Sequence, residues 1–349
     1  MKPDPALDAL CLPFAQGLLH RSDAGTLFLH GREGAALHAV KPPRLTCVQP
    51  FKPWADALQR AGIAAAPQPP AGARHAQVWL LPPRQRESAR ALLAAAFDAC
   101  EPGGRVVVSV ANDEGAKALE GDFRKLAGAL DGGLSKYHCR VFWAKREETR
   151  LDAALLAQWR RADAPRPILD GRFISRPGVF AWDRIDAGSA LLAEHLPANL
   201  CGRAADLGAG WGFLADALLT RSPAVSAVDL FEADHRALAL ARENLAAHGE
   251  KIAIGYHWRD VTAGLPAGAG YDVIVSNPPF HDTGKSPQPQ LGQRFIAAAA
   301  DALSPAGAFW LVANAHLPYE ALLGARFGRL RGVAASGGYK VIEAREPRR

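Results

Sequence analysis

One pattern occurs twice in this chain and limits what it can fold into. It is an apolar strand halted by Pro-Pro, an Ala/Leu-rich helix, a turn rich in Pro and Gly, and a second strand. The first copy reads Val78-Trp79-Leu80-Leu81-Pro82-Pro83, a helical stretch over residues 88–100, Glu101-Pro102-Gly103-Gly104, a β-branched strand over 105–110, and Ala111-Asn112. The second reads Val273-Ile274-Val275-Ser276-Asn277-Pro278-Pro279, a helix near residues 293–303, Ser304-Pro305-Ala306-Gly307, a strand over 308–312, and Ala313-Asn314. Each copy later closes with a strand, Cys139-Arg140-Val141-Phe142-Trp143-Ala144 and Tyr339-Lys340-Val341-Ile342-Glu343-Ala344. Strands alternating with helices predict an α/β fold, and a repeat of this length predicts two domains of one architecture. The length of 349 residues fits two domains of about 150–200 residues. The boundary is expected near residue 160, with residues 1–160 and 161–349 as the two copies.

Composition narrows the class. Hydrophobic content of 49% with 22% charged residues reads as globular, and no apolar run approaches the ~18 residues of a membrane helix. Met1-Lys2-Pro3-Asp4-Pro5 lacks the basic-then-apolar order of a signal peptide. Five scattered cysteines form no Cys-x-x-Cys pair, which argues against zinc and for a reducing, cytoplasmic setting. No metal and no membrane partner are expected, and a monomer is. The net charge of +6 suits an anionic partner such as RNA.

The strand at residues 273–276 ends at Asn277-Pro278-Pro279-Phe280 because the prolines remove backbone donors and fix φ. In an open α/β sheet ligands sit at the carboxyl ends of strands. There the Asn277 amide oxygen and the Pro278 carbonyl can accept both hydrogens of a planar exocyclic amine, while Phe280 stacks on its ring. The structural alternative is a strand-ending turn that happens to follow an asparagine. Pro279 and His281 fall on the substrate side; His281 as a base is less favoured than as an RNA or solvent contact.

Ala204-Ala205-Asp206-Leu207-Gly208-Ala209-Gly210-Trp211-Gly212 reads as strand, glycine turn and helix. Gly208, Gly210 and Gly212 do not have the Gly-x-Gly-x-x-Gly spacing of a dinucleotide site. Asp206 would repel a pyrophosphate but suits a cofactor carrying an ammonium group. A second strand at 225–231 ends at Glu232, placed to accept ribose hydroxyls, with Asp229 as competitor and a helix-start acid as the structural alternative. A third strand, Tyr256-His257-Trp258-Arg259-Asp260-Val261, ends in an acid that could accept from an adenine amine. The first copy lacks this equipment. Leu81 stands where Asn277 does, Arg84 where Phe280 does, and no glycine loop precedes them. Residues 145–170 join the copies and are rich in Arg, a solvated linker or an RNA surface.

These stretches resemble class I S-adenosylmethionine-dependent methyltransferases of the Asn-Pro-Pro-aromatic type, and among them the guanine-N2 methyltransferases of 16S ribosomal RNA. The resemblance rests on Pro177-Gly178-Val179-Phe180 with Asp186-Ala187-Gly188-Ser189, on Ser276-Asn277-Pro278-Pro279-Phe280-His281-Asp282, and on Val312-Ala313-Asn314-Ala315-His316-Leu317-Pro318-Tyr319. It is strong from about residue 176 onward. Trp211 departs from it, because a small residue is commoner there.

The resemblance implies two Rossmann-like methyltransferase domains, each a seven-stranded mixed sheet with flanking helices, the N-terminal one degenerate. It implies S-adenosyl-L-methionine as cofactor, the small ribosomal subunit or its RNA as partner, and methyl transfer to a guanine N2. Asn277, Pro278 and Phe280 would carry the chemistry. Asp206, Gly208, Gly210, Gly212, Glu232, Asp229, Asp260, Val261, Asn277, Phe180 and Ser189 would hold the cofactor. Lys285, Arg294 and Lys340 would contact phosphates, and His195 is structural. The alternatives are a large-subunit rRNA enzyme, a protein glutamine-N5 or DNA adenine-N6 methyltransferase, and a non-catalytic RNA-binding assembly factor.

Overall fold

The computed structural model describes residues 4–70, 72–266, 268–279 and 289–348. The chain divides into two compact units, Met1–Pro165 with Arg176–Gly178, and Arg166–Ser175 with Val179–Arg349. The first unit holds more of the linker than residues 1–160. The helix Ala153–Trp159 buries Leu156 and Trp159 in its core, and Arg160 pairs with Asp98.

In the first unit the strands are β1 (Thr26–Leu29), β2 (Leu45–Val48), β3 (Ala65–Ala66), β4 (His75–Leu80), β5 (Cys100–Ala111), β6 (Gly132–Lys136) and β7 (Cys139–Lys145). They form one sheet in the order β3-β2-β1-β4-β5-β7-β6, with only the β5–β7 and β7–β6 pairs antiparallel. A small hairpin follows, β8 (Arg166–Ile168) and β9 (Phe173–Ser175). The second unit repeats the plan with β10 (Cys201–Leu207), β11 (Ala224–Glu232), β12 (Ala253–Trp258), β13 (Tyr271–Ser276), β14 (Leu303–Asn314), β15 (Phe327–Ser336) and β16 (Tyr339–Pro347). Their order, β12-β11-β10-β13-β14-β16-β15, is the same. Two seven-stranded mixed sheets with flanking helices are thus present, as the resemblance implied. Among the described residues no helix is long and apolar enough to cross a membrane.

Helices cover both faces of the second sheet, so the middle of its central strands is largely apolar. Val273 and Val275 of β13 pack into one core layer with Trp310 and Val312 of β14, while Ile274 packs into the other with Phe309 and Leu311. Both units handle the Pro/Gly turn alike. Pairing of β4 with β5 jumps from His75–Cys100 to Gln77–Arg105, and that of β13 with β14 from Tyr271–Leu303 to Val273–Ala308. The extra residues bulge out, and a glycine closes each bulge. A Cβ on Gly104 would lie 2.8 Å from the Ala76 carbonyl oxygen, and one on Gly307 would lie 2.7 Å from that of Tyr271.

The pairing registers also align the two units residue by residue. Leu29 pairs with Val48 and Leu80; Leu207 pairs with Phe231 and Ser276. Counting from these anchors, Phe28 occupies the position of Asp206, Arg32 that of Gly210, Gln49 that of Glu232, and Leu81 that of Asn277. Phe28 is buried in core, and the Arg32 guanidinium lies 4.5 Å from the Trp54 ring centroid and 3.1 Å from Asp4. The first unit therefore has a core aromatic where the second has an acid, and a bulky cation where the second has a glycine.

The linker arginines are mostly engaged within the units. Arg146 is buried and donates to the carbonyls of Phe97 and Cys100, and Arg176 pairs with Asp163. The matched bulges give a direct test. Gly104→Ala and Gly307→Ala, each forced against backbone, are expected to lower stability by about 1–3 kcal/mol in urea unfolding.

Candidate active site

The strand order of the second sheet reverses between β10 and β13, and a crevice opens outside the carboxyl ends of these two strands. The cleft there is open to solvent and lined by Phe180, Asp186, Ser189, Gly208, Gly210 and Asn277, among others. The glycine turn leaves β10 with three left-handed φ angles, +76° at Gly208, +56° at Gly210 and +92° at Gly212. Gly212 is the N-cap of the helix Phe213–Arg221. A Cβ on Gly210 would meet no atom within 4 Å, so the backbone faces open space where a ligand can approach.

Beneath the turn, Asp206 has no solvent exposure, and neither carboxylate oxygen has a hydrogen-bond partner among the described residues. Burial, reinforced by the nearby Glu232 charge, pushes its carboxyl up to about 8. Glu232 ends β11 and accepts from the Gly210 N–H at 2.7 Å and the Asp234 N–H at 2.7 Å. Burial raises it to about 7 against those two hydrogen bonds. An orphaned buried carboxylate below an open glycine turn fits a cationic ligand, and the ammonium of S-adenosylmethionine is one. Among the described residues no group of three His, Cys, Asp or Glu could hold a metal.

Asn277 follows β13 directly, and Ser276 ties that strand end to β10 by donating to the Leu207 carbonyl at 2.7 Å. The Asn277 Nδ2 donates to Asp186 Oδ2 at 2.8 Å and to Ser189 Oγ at 2.8 Å. Its Oδ1 is buried and unpartnered among the described residues. Pro278 is buried and Pro279 exposed. Phe180, 67% exposed, stands at the rim. Asp260 lies beyond the end of β12 rather than within it. It caps the short turn Val261–Ala263, one oxygen accepting from both the N–H and the hydroxyl of Thr262, while Val261 is core.

The structure thus gathers Phe180, Ser189, Gly208, Gly210 and Asn277 around one cleft, with Asp206 and Glu232 beneath its glycine turn. Two of the expected site residues have partners of their own here. Asp229 accepts from His257 Nε2 and the Tyr271 hydroxyl, each at 2.8 Å. Burial would raise its carboxyl, but these bonds hold it below the ordinary carboxylate value. Lys340 is not free for a phosphate. Its ammonium donates to the carbonyls of Ala315 and Leu317 and to Glu320, which saturates its three N–H groups and braces the turn after β14. Arg294 is exposed on the helix Pro289–Ala302. His195 is a helix residue whose Nδ1 meets the Leu191 carbonyl. Phe280, His281 and Lys285 lie outside the described residues.

Sequence reading missed a role for Asp186, although an acid two residues before Gly188-Ser189 is a helix-start signal. Trp211 is also accounted for. It is buried against Phe173 and Phe213, and its carbonyl accepts from Asn244, which also accepts from the Ile174 N–H, so the indole anchors β9.

Two predictions follow from the buried acids. In the free protein, Asp206 binds its proton more tightly folded than unfolded, since its value rises from 3.8 to about 8. That stabilisation is complete below the ordinary carboxylate value and fades as pH rises to about 8. Melting temperature should fall from about pH 5 to about pH 8.5 and fall less in Asp206→Asn. S-adenosylmethionine should raise it at the alkaline end in the wild type alone. Gly210→Arg, which reproduces the residue of the first unit, should abolish cofactor binding in calorimetry while thermal unfolding stays cooperative.

Residues 170–343 match the methyltransferase small domain family. The ribosomal RNA small subunit methyltransferase C of Pseudomonas paraeruginosa is 36% identical over 287 residues, 80% of this chain and 81% of that protein. The protein of the same name from Shewanella baltica is 33% identical, over 69% of this chain and 67% of its own. Among solved structures, a 16S rRNA N2 guanine methyltransferase of T. thermophilus, in complex with AdoMet and guanosine, aligns with a TM-score of 0.79 and 26% identity. The alignment covers 98% of this chain and 92% of that one. The chain belongs to the ribosomal RNA small subunit methyltransferase C family.

Proposed function

We propose that this chain transfers a methyl group from S-adenosylmethionine to the exocyclic N2 amine of a guanine in 16S ribosomal RNA, with the C-terminal copy, residues 161–349, as its working domain. The observation that carries the reading is the buried Asn277 Oδ1, which has no partner among the described residues and stands beside the glycine turn at the switch point of the sheet. A polar atom left unpaired in a buried site costs about 1–3 kcal/mol, so its natural complement is a donor brought by the substrate. The T. thermophilus structure, solved with AdoMet and guanosine, is consistent with an aminopurine as that donor.

Bound S-adenosylmethionine supplies the methyl as an electrophile on a sulfonium. The work of this chain is then to hold and orient. Asp206 provides a buried anion for the ammonium of the cofactor, the glycine turn lets the backbone approach it, Glu232 accepts from the ribose, and Asp260 from the adenine amine. The guanine amine is a poor nucleophile because its lone pair is delocalised into the ring. Asn277 Oδ1 and the Pro278 carbonyl accept its two hydrogens, turn the lone pair toward the methyl, and stabilise the positive charge that grows on nitrogen. No strong base is required, because the amine becomes acidic only after attack. An unpaired or flipped guanine is the form that can enter.

Small ribosomal subunits, their free RNA, large subunits, release factor and DNA should be offered with labelled cofactor. Label is expected in 16S RNA as N2-methylguanosine, and Asn277→Ala should lower the single-turnover rate by about 10²–10³-fold. Label confined to protein, DNA or large-subunit RNA would overturn the substrate, and cofactor binding without transfer anywhere would overturn the enzyme.

A further inference from the structure

We propose that Asp186 is a positioning residue for methyl transfer, fixing the Asn277 amide so that Oδ1 rather than Nδ2 faces the reacting amine. The inference rests on the reading of Asn277 given above. An asparagine amide is nearly symmetric in shape, and its two orientations differ only in which end donates. At this site the difference is decisive, because a guanine amine brings hydrogens and needs an acceptor. An N–H presented in place of Oδ1 would repel it.

The neighbours of Asn277 choose the orientation. A carboxylate can only accept, so Asp186 Oδ2, 2.8 Å away, requires a donor and therefore Nδ2. The second N–H goes to Ser189 Oγ, also at 2.8 Å. Ser189 alone would not decide, since a hydroxyl serves as donor or acceptor. With both N–H groups engaged, the side-chain atom left over is the buried Oδ1, which has no partner among the described residues. A hydrogen bond to an anion also polarises the amide and makes Oδ1 a stronger acceptor for the charge that grows on the substrate nitrogen.

Asp186 is itself held. It is the N-cap of the helix Ala187–His195, and the same Oδ2 accepts the Ser189 N–H at 2.9 Å. Gly188 makes room for this arrangement. A Cβ there would stand 3.1 Å from Asp186 Oδ2 and 2.9 Å from the Tyr339 ring. The stretch Asp186-Ala187-Gly188-Ser189 thus supplies an anchor, a gap and a second acceptor within one helical turn.

The test is single-turnover methyl transfer to the RNA substrate by Asp186→Ser, Asp186→Asn and Ser189→Ala, each alone and combined with Asn277→Ala. S-adenosylmethionine affinity and melting temperature are measured beside each rate. Serine keeps a cap acceptor but is too short to reach Asn277. Asp186→Ser is expected to slow transfer by about 10–100-fold with cofactor affinity changed by less than about threefold. In the Asn277→Ala background it should cost nothing further, because the amide it orients is gone. Asp186→Asn, which keeps an acceptor oxygen, should recover part of the rate. Ser189→Ala should show a smaller loss that likewise vanishes in the Asn277→Ala background, and it tests the same amide even where an Asp186 variant folds poorly. An unchanged rate in Asp186→Ser, losses that multiply with Asn277→Ala, or a loss matched by weaker cofactor binding would overturn the proposal. Wild-type transfer by Asn277→Ala alone would instead overturn the role of Asn277 itself, and that arm is read separately.

Discussion

A carboxyl group without solvent and, among the described residues, without a side-chain partner sits at the base of the site, and much of the local structure follows from it. Asp206 is next to last in β10, with Leu207 between it and the glycine turn, and burial raises its carboxyl to about 8 in the free protein. Such a group is costly unless a cation arrives, so the site is built around a charge that the protein does not itself contain. Glu232 lies close enough to raise it further, and each of its own two oxygens accepts one N–H, from Gly210 or from Asp234. The glycines are the complement of these acids. Three left-handed residues turn the backbone tightly, direct the Gly210 N–H onto Glu232, and leave the opposite side of the loop open.

How much of this was legible in the sequence depended on the range of the interaction concerned. The two sheets were readable because a strand, a Pro-Pro stop and a helix are local signals, and their recurrence could be seen by eye. Asp206, Glu232 and Asn277 could be placed because each lies at a strand end or one residue from it, and a strand end has a known place in an α/β sheet. Asp229 was ambiguous because strand position says nothing about partners. Only the fold brings His257 from β12 and Tyr271 from β13 to it. Lys340 is a similar case, since a cation in a sequence looks free until the carbonyls of Ala315 and Leu317 are brought against it. Asp186 shows only a helix-start signal in the sequence. Its bond to Asn277 spans 91 residues, and no local pattern encodes that.

The two units show which parts of the plan are architectural and which are chemical. Strand order, the bulge with its closing glycine and the antiparallel pairs β5–β7 and β14–β16 are common to both. The positions that differ are the ones that would face a ligand. Phe28, Arg32 and Leu81 replace an acid, an open glycine and an amide, and the Arg32 side chain, lying against Trp54 and paired with Asp4, now has internal partners. Sheet and turn are therefore maintained in the first unit without the acids of the second.

Gln49 carries that argument to a single atom. It occupies the register position of Glu232, and both side chains accept the N–H two residues on, that of Phe51 or Asp234. Each then reaches the same peptide unit of the turn after the first strand of its sheet, but from opposite ends. Glu232 accepts the N–H of the peptide between Ala209 and Gly210, whereas Gln49 donates its Nε2 to the carbonyl of the peptide between Gly31 and Arg32. A carboxylate can only accept, so in the second unit this peptide must point its N–H at the acid. The left-handed φ of Gly210 accompanies that orientation. An amide can donate, so in the first unit the carbonyl takes that place. The exchange keeps a tie between strand end and turn in both units. It removes only the negative charge, and a charge that the tie does not need is retained in the second unit for something the tie does not do.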